Sequence, residues 1–317
     1  MSNKVLLIGE ALIDLVASRP GKLSSTSAFI RKIGGAPLNV TASSKKYGAD
    51  SYLFATIGKD FFGEFIIDKF KNFASTKYLK RVDAFTTLAF VSLTKDGERD
   101  FEFFRGADKE LSYKDIDKQV MKESDIFVFS SATAYLEGNL KNTYYDILEY
   151  ANKNNKIIIY DPNYRGNLIK DNDQFIKMAN DIIKKAKIVK LSDEEAILIS
   201  GKKDINKAIE YFSKIKNKFF FITMGKEGYI FIDKEGKHKK VESQISINSI
   251  DTTGAGDAFL GYIVGSLSKL DNKENTDSES ILLISKKASI AAALSTIKKG
   301  ALSSLPTVNT VNSYKIK

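Results

Sequence analysis

The chain has 317 residues, of which 43% are hydrophobic and 28% charged, as is typical of a folded protein with a substantial core. It has no cysteine and a single histidine, so disulfides, thiolate catalysis, cysteine-ligated metals, multi-histidine metal sites and a Ser-His-Asp triad are excluded. The net charge is +10, but the lysines are scattered among acids without interleaved aromatics, which argues against a nucleic-acid partner.

No segment of the sequence indicates a membrane partner. The longest uncharged run, residues 126–136, is too short to span a bilayer, which takes about 20 apolar residues. The apolar stretch at residues 5–16 contains Glu10 and Asp14 and lacks the layout of a signal peptide. We therefore expect a cytoplasmic protein.

Short apolar runs alternate with segments of helical periodicity along most of the chain. The runs fall at residues 5–8, 52–57, 126–129, 157–160, 188–191 and 219–223. Helical segments include residues 37–47, 63–73, 173–185, 254–270 and 278–297. Because such runs suit strands that are buried on both faces, the pattern predicts a doubly wound, mostly parallel α/β sheet in a single domain spanning residues 1–317.

Two segments interrupt this alternation. Residues 86–105 alternate like a hairpin about an Asp96-Gly97 turn, and a second irregular segment lies around residues 12–33. Neither segment has a helix of its own to cover it. We therefore predict a small β-sheet lid formed from about residues 12–33 and 84–107, whose exposed edge would suit a homodimer through the lid.

The strongest chemical motif precedes an apolar helix and reads Asp251-Thr252-Thr253-Gly254-Ala255-Gly256-Asp257. Small residues let backbone amides approach an anion, and the start of a helix adds its positive dipole end. Asp257 stands inside this phosphate cradle as a potential base for a hydroxyl group. The same pattern also suits a glycine-rich turn in which Asp257 only caps the helix.

A second motif lies near the N-terminus and reads Gly34-Gly35-Ala36-Pro37-Leu38-Asn39. Paired glycines permit close approach of a ligand, Pro37 suits a first helical turn, and Asn39 offers a donor and acceptors to a sugar hydroxyl. Taken alone, this motif is equally compatible with a tight loop before a helix that ends at Gly48.

Together the two motifs resemble the signatures of the PfkB, or ribokinase-like, carbohydrate kinase family. The first signature corresponds to Gly34, Gly35, Asn39 and Gly48, and the second to residues 251–261. Residues 9–14 and 299–301 also look familial, so the resemblance covers nearly the whole chain. It implies ATP-dependent phosphorylation of a sugar hydroxyl, with Asp257 as catalytic base over an anion hole formed by Gly254, Ala255 and Gly256.

Within that family, residues 9–14, 34–39 and 161–165 look most like fructokinase, which converts D-fructose to fructose 6-phosphate. Carried over by position, the sugar-binding residues would be Asp14, Gly34, Gly35, Asn39, Arg105 and Arg165. Asp14 as a turn residue and Arg105 as a solvated strand residue stay open as alternatives.

Two other functions remain open at this point. One is phosphorylation of 2-keto-3-deoxygluconate or another sugar, although Phe103 and Phe104 beside Arg105 offer no group for the carboxylate of a sugar acid. The other is a catalytically silent regulator that binds a sugar or nucleotide on the same scaffold, because a fold alone does not imply activity.

The resemblance also implies where nucleotide and metals would bind. ATP would lie near Lys190, Thr223, Gly225 and Gly228, although residues 223–228 also suit a strand that leads into a hairpin turn. The family's Asn-x-x-Glu motif appears as Ser192-Asp193-Glu194-Glu195, in which Glu195 would hold Mg²⁺ through water. The same four residues also form a capping box. A K⁺ site is implied near Asp251, Thr253, Gly300 and Ser304.

Overall fold

The structure, a computed structural model, describes residues 3–93 and 99–316, which form two β-sheets surrounded by helices. The larger sheet contains β1 (Lys4–Ile8), β4 (Asp50–Gly58), β5 (Leu79–Val82), β8 (Ile126–Ser130), β9 (Ile157–Asp161), β10 (Ile188–Ser192), β11 (Phe219–Thr223), β12 (Tyr229–Ile232) and β13 (His238–Val241). The smaller sheet contains β2 (Leu12–Ala17), β3 (Phe29–Gly34), β6 (Leu88–Leu93) and β7 (Arg99–Phe104). The α-helices are α1 (Ala36–Lys46), α2 (Phe61–Phe70), α3 (Lys118–Glu123), α4 (Asn139–Lys153), α5 (Asn172–Lys185), α6 (Asp193–Ser200), α7 (Ile205–Ser213), α8 (Ala255–Ser268), α9 (Ser278–Ser295) and α10 (Val308–Asn312).

The larger sheet has the strand order β13-β12-β11-β10-β9-β8-β1-β4-β5. Neighbours from β11 to β5 pair in parallel, whereas β12 and β13 add an antiparallel edge. Every residue of β8 and β9 is buried, because helices cover both faces of the sheet. The six predicted strands and the doubly wound α/β class are thereby confirmed.

Alternate residues of each central strand enter two separate hydrophobic clusters, as the two-residue period of a strand requires. In β1, Leu7 joins the cluster formed with α1, α8 and α9, which includes Leu260. Leu6 joins the opposite cluster formed with α4, α5 and α7, which includes Ile147. The two helical layers thus fix the sheet between them.

Helix ends differ from prediction where a capping side chain acts. The helix predicted at residues 63–73 is observed as α2 over Phe61–Phe70. Asp60 causes the earlier start, because its carboxylate accepts a hydrogen bond of 2.8 Å from the Gly63 amide. Within the described ranges, none of the helices has both the length and the apolar character needed to span a membrane.

The smaller sheet has the order β3-β2-β6-β7, with β2 and β6 parallel and the two outer pairs antiparallel. The predicted small sheet is therefore confirmed, whereas the predicted Asp96-Gly97 turn lies outside the described residues. In register, Asp14 lies opposite Lys32, so both side chains project from the same face. Arg31 projects from the other face and stacks on Phe65 of α2, which ties the small sheet to the larger body.

Several polar residues lie at the carboxyl ends of the parallel strands, along one side of the larger sheet. Asp161 ends β9, Ser192 ends β10 and Thr223 ends β11, and Ser192 and Thr223 are register partners. The carboxyl ends of parallel strands are where ligands bind in open α/β sheets. This side of the sheet therefore contains the candidate site.

Candidate active site

The start of α8 forms the floor of the site. Gly254 has φ +80°, and a Cβ atom there would lie 2.4 Å from Ala301 Cβ, so only glycine fits. The amides of Gly256 and Asp257 lie in the first helical turn, where backbone N–H groups lack intrahelical partners. The Ala255 amide instead donates to the Thr252 carbonyl at 3.2 Å. The helix start can therefore receive an anion chiefly through the amides of Gly256 and Asp257.

Close packing of α1 against α8 brings Asn39 to Asp257. A Cβ atom at Gly261 would lie 2.3 Å from the Ser43 side chain, and one at Gly265 would lie 2.7 Å from the Ser44 carbonyl oxygen. With this spacing, Asn39 Nδ2 donates to Asp257 Oδ2 at 2.8 Å. A carboxylate only accepts hydrogen bonds, which fixes the orientation of the amide.

The side-chain oxygen of Asn39, Oδ1, indicates where a ligand could bind. Asn39 is buried, and no donor within the described residues reaches its Oδ1 atom. A buried acceptor without a partner loses about 1–3 kcal/mol relative to a satisfied one. A ligand hydroxyl beside Asp257 would supply the donor that Oδ1 lacks.

Opposing effects act on the Asp257 carboxyl. Burial raises its pKa, while the Asn39 hydrogen bond and the positive charges of Lys190 and Arg165 lower it, and burial wins. A carboxylate with a raised pKa is a better proton acceptor at neutral pH than an ordinary aspartate. The Asp257 carboxylate can therefore accept a proton from a group bound beside it.

Asp14 lies in the same cleft, above the paired glycines. A Cβ atom at Gly34 would lie 2.1 Å from Asp14 Oδ2, and one at Gly35 would lie 2.5 Å from the Glu10 carbonyl oxygen. Burial raises the pKa of Asp14 to about 6, while the charges of Arg165 and Lys32 lower it. In the part of the chain that the structure describes, its carboxylate has no hydrogen-bond donor.

The two arginines predicted to bind sugar are placed differently. Arg165 is close enough to Asp14 and Asp257 to lower the pKa of both carboxyls, so it belongs to this cleft. Arg105 donates from Nε and Nη2 to Asp108 Oδ2, at 3.0 and 2.7 Å, and from Nη1 to the Glu137 carbonyl at 2.8 Å. Its contacts are therefore with the segment after β7 and the loop after β8, and not with Asp14, Asn39 or Asp257.

Lys190 adds a buried positive charge beside the start of α8. Its ammonium pairs with Asp161 Oδ2 at 3.1 Å and lies 3.1 Å from the position that a Cβ atom of Gly256 would take. Burial lowers the pKa of Lys190, but attraction from Asp161, Glu195 and Asp257 outweighs it, so the net shift is upward. Lys190 is therefore charged at neutral pH and faces the predicted anion hole.

Both carboxylate oxygens of Glu195 accept hydrogen bonds from backbone amides. Oε2 accepts from the Ser192 amide at 2.7 Å and Ser192 Oγ accepts from the Glu195 amide at 3.1 Å, which confirms the predicted capping box. Oε1 accepts from the Tyr164 amide at 2.8 Å and so ties the loop after β9 to the start of α6. Contact with Mg²⁺ through water would use the remaining lone pairs of this carboxylate.

The residues predicted to hold K⁺ also lie together. Asp251 Oδ1 accepts from the Thr253 amide at 3.0 Å, and Oδ2 accepts from the Gly300 amide at 2.9 Å. Lys32 from the small sheet lies 3.7 Å from Oδ2, so a cation already neutralises part of this charge. Ser304 donates locally to the Ala301 carbonyl at 3.4 Å. Across the described ranges, no group of three or more His, Asp or Glu side chains is arranged to hold a metal ion.

The predicted nucleotide loop follows β11. The Thr223 hydroxyl donates to the Leu191 carbonyl at 3.2 Å, and the Met224 amide donates to the Gly228 carbonyl at 2.9 Å, which closes the loop. Gly225 has φ +56° and Gly228 has φ +100°, conformations that favour glycine. The loop lies on the same side of the sheet as Lys190.

Sequence reasoning missed Asp161 and Glu10 as members of the site. Lys190 occupies the middle of a buried strand, and a buried lysine requires a nearby acid, which is the signal that could have led to Asp161. Glu10 is 1% exposed and accepts hydrogen bonds from the Ser131 hydroxyl at 2.5 Å and the Ala132 amide at 3.4 Å. Its backbone carbonyl lies beneath Gly35. Its side chain links the residues that follow β1 to the loop after β8.

The Asp161–Lys190 pair should show strong energetic coupling. Asp161→Asn should lower the free energy of unfolding by about 3 kcal/mol because it leaves a buried ammonium without its partner. The double variant Asp161→Asn/Lys190→Met should cost clearly less than the sum of the single changes. Urea unfolding measures all three. The exposed pair Asp181–Lys184, 2.8 Å apart, is the control and should couple by less than about 1 kcal/mol. Additive effects at Asp161 and Lys190 would refute the coupling.

Glu10 should make stability fall as pH rises. Burial raises its pKa from an ordinary 4.5 to about 7, so the folded protein holds this proton more tightly than the unfolded chain. The free energy of unfolding should therefore decrease between about pH 4.5 and 7, by about 3 kcal/mol from this group alone. Glu10→Gln should remove that part of the slope in urea unfolding, whereas exposed Glu64→Gln should not. Identical slopes for wild type and Glu10→Gln would contradict the assignment.

The chain is similar to several known proteins over most of its length. The profile of the pfkB family carbohydrate kinases matches residues 2–308. Probable fructokinase-2 of Arabidopsis thaliana is 31% identical over 313 residues, covering 96% of this chain and 94% of that protein. A fructokinase with bound ATP from Xylella fastidiosa superposes with a TM-score of 0.85 at 25% identity, covering 99% of this chain and 98% of that one. A sugar kinase from Pyrococcus horikoshii in complex with ATP superposes with a TM-score of 0.84 at 29% identity, covering 98% of each chain.

The similarities to the two fructokinases and to the sugar kinase extend over at least 94% of both chains. The family and the enzyme class predicted from the two glycine-containing motifs are thereby confirmed. The chain belongs to the pfkB family of carbohydrate kinases.

Proposed function

We propose that this carbohydrate kinase is a fructokinase that phosphorylates the 6-hydroxyl of D-fructose with ATP. The observation that carries the proposal is the Asn39–Asp257 pair at the start of α8, with the 2.8 Å hydrogen bond on one side of the amide and an unpaired Oδ1 on the other. A sugar hydroxyl bound there would donate to Oδ1 and lie beside a base. The relatives named fructokinase support fructose as the sugar.

Asp257 would act as general base in an in-line phosphoryl transfer. The sugar oxygen forms a bond to the γ-phosphorus while its proton passes to the Asp257 carboxylate. The bond to the bridging oxygen breaks, and ADP leaves with that electron pair. The amides of Gly256 and Asp257 and the Lys190 ammonium lie where they would stabilise the negative charge on the transferred group.

The sugar would be held by acceptors that lack donors. The carboxylate of Asp14 and Oδ1 of Asn39 are both of this kind among the described residues, and sugar hydroxyls would supply the donors. Gly34 and Gly35 would let the sugar approach the backbone. Arg165 would contribute charge between Asp14 and Asp257. Arg105, with three of its five N–H groups already used, would reach the sugar only through the remaining two.

The nucleotide would bind along the loop after β11, between Thr223 and Gly228, with its phosphates toward Lys190. Mg²⁺ bound to the phosphates would neutralise charge that develops during transfer. The donor set of this chain fits such an ion through water, because Glu195 keeps lone pairs beyond its two backbone hydrogen bonds.

We also propose a K⁺ site beside Asp251, although Lys32 competes for the same carboxylate. A test is the initial rate in K⁺ against the rate in tetramethylammonium at equal ionic strength. If K⁺ acts through Asp251, removal of the lysine charge in Lys32→Met should increase the response to K⁺. An equal rate in both salts for both proteins would eliminate the site.

The small sheet is proposed to serve as a lid and as the contact of a homodimer. The face that carries Asp14 and Lys32 also presents Ile30, which is 56% exposed. A lid over this cleft would exclude water that could otherwise accept the phosphoryl group. Sedimentation equilibrium of wild type against Ile30→Glu tests the dimer. A monomer in both would remove this part of the proposal.

The decisive experiment measures ADP release with Mg-ATP against fructose, 2-keto-3-deoxygluconate, ribose, glucose and no sugar. Fructose should give the highest kcat/KM. Asp257→Asn should lower kcat at least ~10²-fold, because it removes the base, and should leave fructose binding in calorimetry nearly intact. Asp271→Asn, an exposed aspartate beyond the end of α8, is the control and should behave as wild type.

Each alternative outcome has a distinct meaning. Another sugar with the highest kcat/KM, combined with a silent Asp257→Asn, would replace fructose and keep the mechanism. Near-normal turnover of Asp257→Asn would remove Asp257 as base. No turnover with any sugar would favour a catalytically silent binding protein.

A further inference from the structure

A cavity separate from the cleft lies on the side of the larger sheet where the parallel strands begin. Its volume is about 660 Å³, and it lies at the amino ends of β10 and β11, where Lys187 and Phe219 line it. Lys216, Lys234, Glu235 and Glu274 also contribute to its wall. Small-molecule sites commonly have volumes of ~300–1,000 Å³, so the space suits a small ligand.

Lys187 is the notable side chain of this cavity. It is half-buried, and its ammonium has no hydrogen-bond or ion-pair partner in the described part of the chain. Burial lowers its pKa, the charge of Glu274 opposes that shift, and the charge of Lys234 adds to it. The Lys234 ammonium likewise has no ion-pair partner among the described residues, so two lysines without a contacting counter-ion line the same space, an arrangement that an anion would stabilise.

The acidic residues of the wall do not neutralise these lysines by contact. Neither Glu235 nor Glu274 forms an ion pair with a lysine of the cavity among the described residues. Glu235 accepts from the Ser278 hydroxyl at 3.3 Å through its carboxylate. Its backbone carbonyl accepts from the Lys216 ammonium at 2.7 Å, so Lys216 fixes the wall.

The rim of the cavity is anchored and not a loose surface loop. Lys273, next to Glu274, is 3% exposed and pairs with Asp125 Oδ2 at 3.2 Å. Lysine is rarely buried to this extent unless its charge is paired. The anchor holds residues 274–276 over the cavity as part of the folded structure.

We propose that this cavity binds a small anion that carries a phosphate group, with Lys187 and Lys234 as its charged ligands and Phe219 as its apolar floor. The phosphate oxygens would accept hydrogen bonds from the two ammonium groups. The site is separate from the kinase cleft and does not depend on the identity of the sugar.

Lysine labelling with inorganic phosphate as the probe tests the site directly. Wild-type protein is reductively methylated at constant ionic strength with increasing phosphate, and each lysine is quantified by peptide mass spectrometry. At ten times the Kd, Lys187 should be labelled about tenfold more slowly, because only about one molecule in eleven is unliganded. Exposed Lys184 is the internal control and should be labelled at an unchanged rate. Equal labelling of Lys187 at all phosphate concentrations would overturn the proposal.

Thermal unfolding gives an independent readout that involves neither sugar nor ATP. Phosphate should raise the Tm of wild type more than that of Lys187→Met/Lys234→Met, and Lys184→Met should respond as wild type. Methionine keeps most of the length of the lysine stem, so the variant is expected to fold. Phosphate bound at the start of α8 would contribute equally to all three proteins. An equal rise in Tm for wild type and the double variant would refute the site, whatever the kinase assay shows.

Discussion

The contact between α1 and α8 is the constraint on which the active site depends. Gly261 and Gly265 leave no room for side chains on the face of α8 that meets Ser43 and Ser44. Only this close approach lets Asn39 reach Asp257 across 218 positions of sequence. The chemistry of the cleft is thus set by two residues that carry no functional group at all, because they determine how near the two helices can lie.

A chain of buried charges then organises the rest of the cleft. Lys190 sits between Asp161, Glu195 and Asp257, and each carboxylate raises its pKa. Glu195 in turn connects the start of α6 to the loop after β9 through backbone amides. A buried charge is tolerated only where it has partners. The position of each of these charged side chains therefore depends on the position of its neighbours. The site is preorganised by electrostatics as much as by packing.

Much of this arrangement could be predicted from local patterns. Apolar runs gave the six central strands, and the two glycine-containing motifs indicated Asp257, Asn39 and Gly254, because strand burial and helix starts depend on neighbouring residues. The burial of Lys190 in the middle of β10 indicates that an acid lies nearby, but local pattern does not identify that acid as Asp161, which ends the neighbouring strand β9. The same holds for the hydrogen bond from Arg105 Nη1 to the Glu137 carbonyl, which joins residues 32 positions apart in the sequence. Local pattern also leaves the balance between capping and metal binding at Glu195 undetermined.

The cleft contains buried carboxyl groups and a buried amide oxygen, which selection for stability alone would not retain. Glu10, Asp14, Asp161 and Asp257 all have pKa values raised by burial, and Asn39 buries an oxygen without a donor. Such sites persist where function requires them, and apolar replacements there, except at Asp161 with its Lys190 partner, commonly increase stability while activity is lost. Screens for heat-resistant variants of this chain should therefore select substitutions in the cleft. A library meant to preserve catalysis should keep these five positions unchanged.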